Sequence, residues 1–346
     1  MFGYRVKPEP KVILHIGHSK TGSTSIQESL SMSRERLLQE GILYPKIRFK
    51  EINHRALSPV VCFDNQRNAL MVRMGKDRTT IVRQSQAEWE AVFRQVKKNR
   101  PQVVILSAEN LFRDLGPHQG KILQELIGTI TRRSPRVLAY VRSPASFYLS
   151  RLQQFLKGGK GLHLPSPYNR AAVIASYVSF FPNCVEVRAF ERQQLLDSDA
   201  VSDFADWLGI PSLKADFAGR NSNESVSAEA ISILFRLAPL QAPKNLEQVK
   251  RQNELSKTVK RLDQLLPQPT KPVLRPRVRA EVNALNTDFE QLQDLYGLNY
   301  QDFDYGSTSR NRKKPNAIQG VEDICTFDVD RRDLLEEQVR RALAAL

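Results

Sequence analysis

The sequence lacks the features that mark several large classes of protein. No stretch approaches the roughly 18 to 20 consecutive apolar residues that a membrane-spanning helix requires, so we expect no transmembrane segment. The first nine residues lack the apolar core of a secretory signal. The three cysteines (Cys62, Cys184 and Cys325) are widely spaced and form no CxxC pair, which argues against a disulfide framework and a zinc cluster. We therefore predict a cytoplasmic protein without a metal site.

The charge of the chain is strongly positive, because 52 Lys and Arg residues against 37 Asp and Glu residues give a net charge of +15. Such a balance favours anionic partners: nucleic acid, acidic lipid, or a phosphorylated or sulfated small molecule. Residues 121–160 carry eight basic residues against one acidic residue, and residues 241–280 carry ten against three, a net of +7 each. The first block overlaps the pattern of a strand followed by a helix, so its charges are candidates for an anion-binding site. The second block is rich in proline, which is typical of a solvent-exposed connecting segment. We expect no nucleic-acid partner, because zinc-finger spacing and RNA-binding aromatic strand motifs are missing.

Short apolar runs alternate with helical patterns along the first 210 residues. The apolar runs predict strands at residues 11–16, 102–106 and 136–141, and residues 184–189 are predicted to form a fourth strand. The helical patterns predict helices at residues 26–38, 85–100, 122–130, 144–156, 170–181 and 201–208, the second of them opened by a capping box of Ser85 and Glu88. Strands that alternate with helices predict an α/β fold, in which a parallel β-sheet is flanked by helices.

The later part of the chain has a different pattern. After residue 225 it is mainly helical and shows no further strand pattern. Residues 306–316 are polar and basic, which is typical of a linker, and residues 331–346 predict a terminal helix. We predict one large domain at residues 1–305, followed by a linker and helical tail at residues 306–346.

The segment at residues 17–25, Gly-His-Ser-Lys-Thr-Gly-Ser-Thr-Ser, lies between a predicted strand and a predicted helix. The amides of such a loop and the free amides of the helix N-terminus converge on one point, where the helix dipole favours negative charge. The loop that binds nucleoside triphosphates has the order Gly-x-x-x-x-Gly-Lys-Ser/Thr. Gly17 and Gly22 have that spacing, but Lys20 lies two residues before Gly22, where it addresses a shorter anion. The residues expected to bind the anion are Ser19, Lys20, Thr21, Gly22, Ser23, Thr24 and Ser25.

Two motifs of the chain resemble those of sulfotransferases. Residues 20–25, Lys-Thr-Gly-Ser-Thr-Ser, are similar to the 5′-phosphosulfate loop of that family, in which a proline usually precedes the lysine; here Ser19 takes that place. A second signature of the family is an Arg at the end of a strand and a Ser eight residues later on the next helix. Arg142 and Ser150 match it in spacing and in context, and weaker similarity extends over residues 11–305.

The resemblance implies a P-loop-type sheet and a sulfuryl donor, 3′-phosphoadenosine 5′-phosphosulfate, as the co-substrate. Arg142 and Ser150 would grip the 3′-phosphate of this donor. Arg220 and Asn221 resemble the start of the late loop that closes over the nucleotide. Because negative charge grows on the departing phosphate oxygen, a cation held there lowers the barrier, and Lys20 is the natural candidate.

The transfer also needs a base that takes the proton of an acceptor hydroxyl. Glu109 follows the second predicted strand, where we expect the loop to open beside the phosphate loop at the carboxyl end of the sheet. Several carbohydrate sulfotransferases use a glutamate in this role. The rival is His54, in Ile-Asn-His-Arg, since bacterial relatives often carry an Asn-His pair after the first helix. By analogy the acceptor is a carbohydrate or a lipid-linked sugar, and the chemistry requires no metal.

Two functions of other classes stay open at this point. A nucleotide-dependent phosphotransferase would also use a phosphate-binding loop, and a non-catalytic module could hold an acidic polymer or a membrane on its basic face. Peripheral contact with a membrane, the oligomeric state and the role of the tail also stay open.

Overall fold

The computed structural model describes residues 9–47, 52–64, 77–159, 161–162, 164–215, 226–238, 245–306 and 318–344. The chain divides into two compact units. The first unit comprises Met1–Arg142, Asn169–Arg220 and Gln291–Asn299, and the second comprises Ser143–Tyr168, Asn221–Glu290 and Tyr300–Leu346. Among the described residues, no helix is both long enough and apolar enough to cross a bilayer.

The described part of the first unit contains a sheet of five parallel strands, in the order β2-β3-β1-β4-β5. The strands are β1 Lys11–His15, β2 Ile42–Leu43, β3 Val103–Ser107, β4 Arg136–Val141 and β5 Val185–Ala189. The four predicted strands are confirmed to within a residue or so at each end, whereas the two-residue β2 was not predicted. Strands β1, β3 and β4 are buried and mainly apolar, which is why they were detectable, whereas β5 at the edge of the sheet alternates apolar and charged residues.

Helices flank this sheet and build the second unit. In chain order they are α1 Ser23–Met32, α2 Arg34–Gln39, α3 Ser58–Val61, α4 Arg78–Asn99, α5 Pro117–Gly128, α6 Pro144–Lys157, α7 Arg170–Phe180, α8 Ala200–Leu208, α9 Ser212–Ala215, α10 Ala228–Leu237, α11 Leu246–Leu265, α12 Pro276–Ala284, α13 Asp288–Tyr296 and α14 Val329–Ala344. Short 3₁₀ turns lie at Arg55–Leu57, Glu109–Leu111, Leu196–Ser198 and Val321–Asp323. The predicted α/β class is confirmed.

Helices α1 and α8 pack on one face of the sheet. Ile26 and Leu30 of α1 and Phe204 of α8 form a buried cluster with Ile13 of β1 and Tyr140 of β4. Each such side chain stabilises the packing by about 1.5–3 kcal/mol. This cluster holds α1 against the sheet and so fixes the helix N-terminus, at Ser23, close to the end of β1.

Three helices begin or break where the sequence did not predict it, among them α5, which begins at Pro117 rather than at residue 122. The pattern at residues 26–38 is divided between α1 and α2, with Ser33 between them. Helix α4 begins at Arg78 rather than at Ser85, because the carboxylate of Asp77 accepts a hydrogen bond from the Thr80 N–H (2.6 Å) and caps the helix there. Ser85 is buried inside the helix, where its hydroxyl accepts from the Val60 N–H (3.1 Å), so the capping-box interpretation is wrong.

The second unit has its own apolar core and a buried cluster of charges. Arg331 of α14 bonds Glu229 of α10 at 3.1 Å and Asp263 of α11 at 3.0 Å, and all three side chains are buried. The predicted terminal helix is confirmed over residues 331–344 as α14, which packs in this core through Leu335 and Val339, and residues 345–346 lie outside the described residues. Residues 307–316 of the predicted linker lie outside the described residues, and the division at residue 305 stays a prediction.

Candidate functional site

Candidate residues predicted from the sequence follow the carboxyl ends of three neighbouring strands. Strand β1 lies between β3 and β4, and because all three are parallel, their carboxyl ends lie at the same end of the sheet. The loop at residues 16–22 follows β1, Glu109 follows β3 by two residues, and Arg142 follows β4 directly. In open α/β sheets, ligands bind outside the carboxyl ends of strands whose connections diverge.

The loop after β1 stays against β4 before it turns into α1. The Ile16 N–H donates to Leu138 O (3.0 Å) and the His18 N–H donates to Tyr140 O (3.1 Å). The Thr21 hydroxyl then donates to the His18 carbonyl, which closes the turn. Thr21 is buried, so this hydroxyl serves the loop itself.

Two glycines allow the loop to pass close to its surroundings. Gly22 has a left-handed φ of 71°, and a Cβ there would lie 2.7 Å from the Cβ of Ala200. A Cβ on Gly17 would lie 2.7 Å from His15 Nε2 and 2.8 Å from Ser23 Oγ. Real Cβ atoms do not approach other atoms so closely, so any larger residue at either position would displace the loop.

Helix α1 presents its N-terminal amides at this loop. Its N-cap residue is Gly22, which has no side chain to accept a hydrogen bond from the first turn. The first amides of a helix have no partner within the helix, and the dipole places partial positive charge there. The N-terminus of α1 is therefore suited to an anion.

Arg142 holds the backbone of the loop. Its Nη1 donates to the carbonyl oxygen of Lys20 (3.0 Å), and its guanidinium lies over the ring of Phe190 at 5.7 Å from the ring centroid. Lys20 itself has a left-handed φ of 69°, which is uncommon for a residue with a side chain. The Arg142 side chain thus fixes the loop at its most unusual position.

Three charged groups act on one another at this point. Partial burial lowers the pKa of Lys20, the positive charge of Arg142 lowers it further, and the carboxylate of Glu109 raises it. The ammonium group is poorly solvated and lies near a second cation, so an incoming anion would stabilise both. The pKa of Lys20 is therefore set by its burial and by the charges of Arg142 and Glu109.

Glu109 opens the 3₁₀ turn Glu109–Leu111 and is half-buried. The residue before it, Ala108, donates its N–H to His15 O at 2.9 Å, which ties this turn to the end of β1. The predicted proximity of the Glu109 segment and the loop is thus present in the structure.

His54 is fully buried and bonded on both sides of its ring. Its Nδ1 accepts from the Ser107 N–H (3.0 Å), which requires that nitrogen to be unprotonated. Its Nε2 therefore carries the hydrogen and donates to Pro45 O (2.9 Å). The ring also packs against Tyr44, at 4.4 Å between centroids, and burial lowers its pKa to about 4.

The remaining predicted residues have mixed placements. Ser19 is half-buried in the loop, Thr24 is exposed in the first turn of α1, and Ser25 is half-buried beside it. Ser150 is half-buried on α6, in the second unit. Arg220 and Asn221 lie outside the described residues.

The basic block at residues 121–160 contributes less to this site than the sequence suggests. Arg132 and Arg133 precede β4, and Arg136 begins it, so these three lie at the opposite end of the sheet. Arg136 is moreover paired with Glu186 at 2.7 Å. Arg142 is the member of the block that follows the carboxyl end of a strand.

Sequence reasoning missed two side chains beneath the loop. Phe190 supports Arg142 and approaches Gly22, and its place directly after β5 is the signal that could have found it. Gln27 of α1 donates from Nε2 to Ser107 Oγ (3.0 Å), and no motif marks it.

The chain was compared with protein-family models, with curated proteins and with solved structures, and none of the three comparisons gives a significant match. Within the described ranges, no three His, Cys, Asp or Glu side chains are grouped so that they could hold a metal ion.

Proposed function

We propose that this end of the sheet binds 3′-phosphoadenosine 5′-phosphosulfate and that the protein is a sulfotransferase of P-loop type. The observation that carries the proposal is the bond from Arg142 to the Lys20 carbonyl beside the N-terminus of α1, with the Glu109 turn tied to the end of β1. Two cations and a row of amides fit an anionic donor. A carboxylate next to them fits a group that removes a proton from a neutral acceptor.

The position of Lys20 favours a phosphosulfate over a nucleoside triphosphate. In triphosphate loops the lysine follows the second glycine, and the next Ser or Thr binds Mg²⁺. Here Lys20 precedes Gly22, and the residue that follows Gly22 is Ser23. Ser23 therefore stands where a triphosphate loop has its lysine, and it is buried, with its hydroxyl 3.5 Å from Thr21 Oγ1 and facing Gly17, so this position supplies no cation to β- and γ-phosphates.

The transfer breaks the bond between sulfur and the bridging phosphate oxygen and forms a bond between sulfur and the acceptor oxygen. The acceptor's proton passes to the Glu109 carboxylate. The electron pair of the broken bond stays on the phosphate oxygen, which leaves as part of adenosine 3′,5′-bisphosphate. Lys20 and the amides at the N-terminus of α1 stabilise that growing charge, and one such preorganised contact lowers the barrier by about 3 kcal/mol.

Glu109 suits the role of base better than His54 does. Both ring nitrogens of His54 are bonded to backbone groups, and its ring is fully buried. Glu109 is half-buried and interacts with Lys20, the residue that addresses the leaving oxygen. The hydroxyl acceptor, a carbohydrate or a lipid-linked sugar, rests on the family resemblance alone.

A binding experiment on the full chain tests the donor site without the acceptor. We expect adenosine 3′,5′-bisphosphate to raise the thermal midpoint more than AMP, ADP or ATP with Mg²⁺, since a ligand at 100 times its Kd stabilises the folded state by about 2.7 kcal/mol. Arg142→Ala is expected to weaken this binding about 10- to 100-fold, because it removes charge-assisted hydrogen bonds worth about 1.5–3 kcal/mol. Arg133→Ala, at the opposite end of the sheet, is the matched control and should bind as the wild type does.

Other outcomes would identify the rival functions. A larger shift with Mg²⁺-ATP than with the bisphosphate would contradict the proposal in favour of a phosphotransferase. Binding of acidic polymers that weakens steeply with salt and is insensitive to Arg142→Ala, with no nucleotide binding, would favour a polyanion-binding module.

A further inference from the structure

Ser107, the last residue of β3, is bonded by three other segments and is completely buried. Its N–H donates to His54 Nδ1 (3.0 Å), and its carbonyl accepts from the His54 N–H (2.9 Å). Its hydroxyl lies 2.8 Å from His15 Nδ1 and accepts from Gln27 Nε2 at 3.0 Å. Every polar group of this residue therefore has a partner.

The same hydroxyl serves both neighbours in this network. A hydroxyl has one hydrogen and two acceptor lone pairs, so Ser107 Oγ can accept from Gln27 and also bond His15 Nδ1. The other ring nitrogen of His15, Nε2, lies directly beside Gly17, where a Cβ would be 2.7 Å away. Burial lowers the pKa of His15 to about 4, so the neutral ring persists at ordinary pH.

These bonds connect the two sides of the proposed site. His15 is the last residue of β1, two residues before Gly17, and it precedes the loop that carries Lys20. Gln27 lies on α1, the helix that follows this loop. Ser107 stands two residues before Glu109. His15, before the loop, and Gln27, after it, are therefore both bonded to Ser107, and Ser107 leads into the Glu109 turn.

We propose that Ser107 is a positioning residue, whose hydroxyl sets the placement of Glu109 relative to Lys20 through His15 and Gln27. The proposal rests on the proposed function, in which Lys20 acts on the leaving oxygen and Glu109 on the acceptor proton. A misplacement of about 1 Å between reacting groups can lower a rate by about 10²-fold. The network therefore contributes to the rate of transfer without touching the donor or the acceptor.

Ser107→Ala removes the hydroxyl, and Ser29→Ala is its matched control. Ser29 is also completely buried in the first unit, and its hydroxyl donates to Leu213 O at 3.2 Å, away from Glu109. We expect Ser107→Ala to lower kcat about 10- to 100-fold, with the KM for 3′-phosphoadenosine 5′-phosphosulfate nearly unchanged, and to shift the acid limb of the pH–rate profile. Ser29→Ala should lower the thermal midpoint to a similar degree but leave kcat and the pH profile unchanged. Ser107→Thr retains the hydroxyl and should restore most of kcat.

Hydrogen exchange of the nucleotide-free protein supplies a readout that does not depend on activity. Ser107→Ala should speed exchange in residues 17–27 and 108–112 together, whereas Ser29→Ala should not. Unchanged exchange in these segments, or a loss of kcat no larger than that of Ser29→Ala, would overturn the role of Ser107 while leaving the proposed function intact. Coupled exchange in a protein that binds no bisphosphate would support the network and refute the function.

Discussion

Because two histidines are buried, we expect the free energy of unfolding to decrease as the pH falls from neutral. Burial lowers the pKa of both His15 and His54 from 6.5 to about 4 in the folded protein. In the unfolded chain both rings have the ordinary histidine pKa of 6.5. Between pH 6.5 and about pH 4 the unfolded chain binds protons that the folded protein does not, so acid favours unfolding. The stabilisation is fully present above pH 6.5 and is lost as the pH falls toward 4.

The size of the effect follows from the shift. A difference of 2.5 pKa units for each ring corresponds to about 3 kcal/mol, since one unit is about 1.4 kcal/mol. The full amount is lost only below pH 4. At pH 5, each histidine has lost about 2 kcal/mol of the free energy of unfolding relative to pH 8. Together they remove about 4 kcal/mol, which is a large fraction of the roughly 5–15 kcal/mol of a typical domain.

Urea denaturation at several pH values between 8 and 5 measures this loss. His54→Gln is the informative variant, because the amide can accept from the Ser107 N–H and donate to Pro45 O, yet does not titrate. We expect it to reduce the pH dependence by about 2 kcal/mol over this range. His118→Gln is the control, since His118 is exposed on α5 in the folded protein. A wild-type protein whose stability is constant from pH 7 to 5, or a His54→Gln variant that keeps the whole slope, would refute the reasoning.

Three further substitutions test other parts of the structure. Lys20→Ala is expected to lower kcat about 10²- to 10³-fold while weakening bisphosphate binding far less, as steady-state kinetics and calorimetry would show; equal losses in both would contradict the role of Lys20. Arg331→Met leaves two buried carboxylates without their cation and should reduce the free energy of unfolding, measured by urea denaturation, by about 3–5 kcal/mol. Its control is Arg341→Met, at an exposed ion pair, which should reduce the free energy of unfolding by less than about 1 kcal/mol. Gly22→Ala combines a left-handed φ of 71° with a Cβ placed 2.7 Å from that of Ala200, so it should abolish the calorimetric signal of bisphosphate binding; unchanged binding would mean that the loop can deform.

Much of the sheet could be predicted from the sequence because each buried parallel strand is a continuous apolar run. Strand β2 was missed because two residues, Ile42 and Leu43, carry no periodicity. The start of α4 was misplaced for a related reason: Ser85 and Glu88 have the spacing of a capping box, but both are buried by tertiary packing inside the helix. Local signals of this kind are reliable only where the tertiary structure does not use the same residues.

The candidate site was predictable in its residue types but not in its contacts. The glycine loop, Lys20, Glu109 and Arg142 were each marked by their place after a predicted strand. The bond from Arg142 to the Lys20 carbonyl joins residues 122 positions apart, and no local pattern encodes it. The same holds for His54, whose type and position suggested a base, whereas its partners Ser107 and Pro45 occupy both ring nitrogens.

The bond between Arg142 and Lys20 explains how the loop keeps an unfavourable backbone conformation in the free protein. A left-handed conformation costs a residue with a side chain about 1–2 kcal/mol. A hydrogen bond from a charged donor contributes about 1.5–3 kcal/mol, which is enough to offset that strain. The left-handed φ of 69° at Lys20 is therefore stable in the free protein as long as Arg142 bonds its carbonyl. In the proposed reaction, a loop that is already shaped would spare donor binding the free energy of forming it, and that interaction energy would remain for holding the leaving phosphate oxygen.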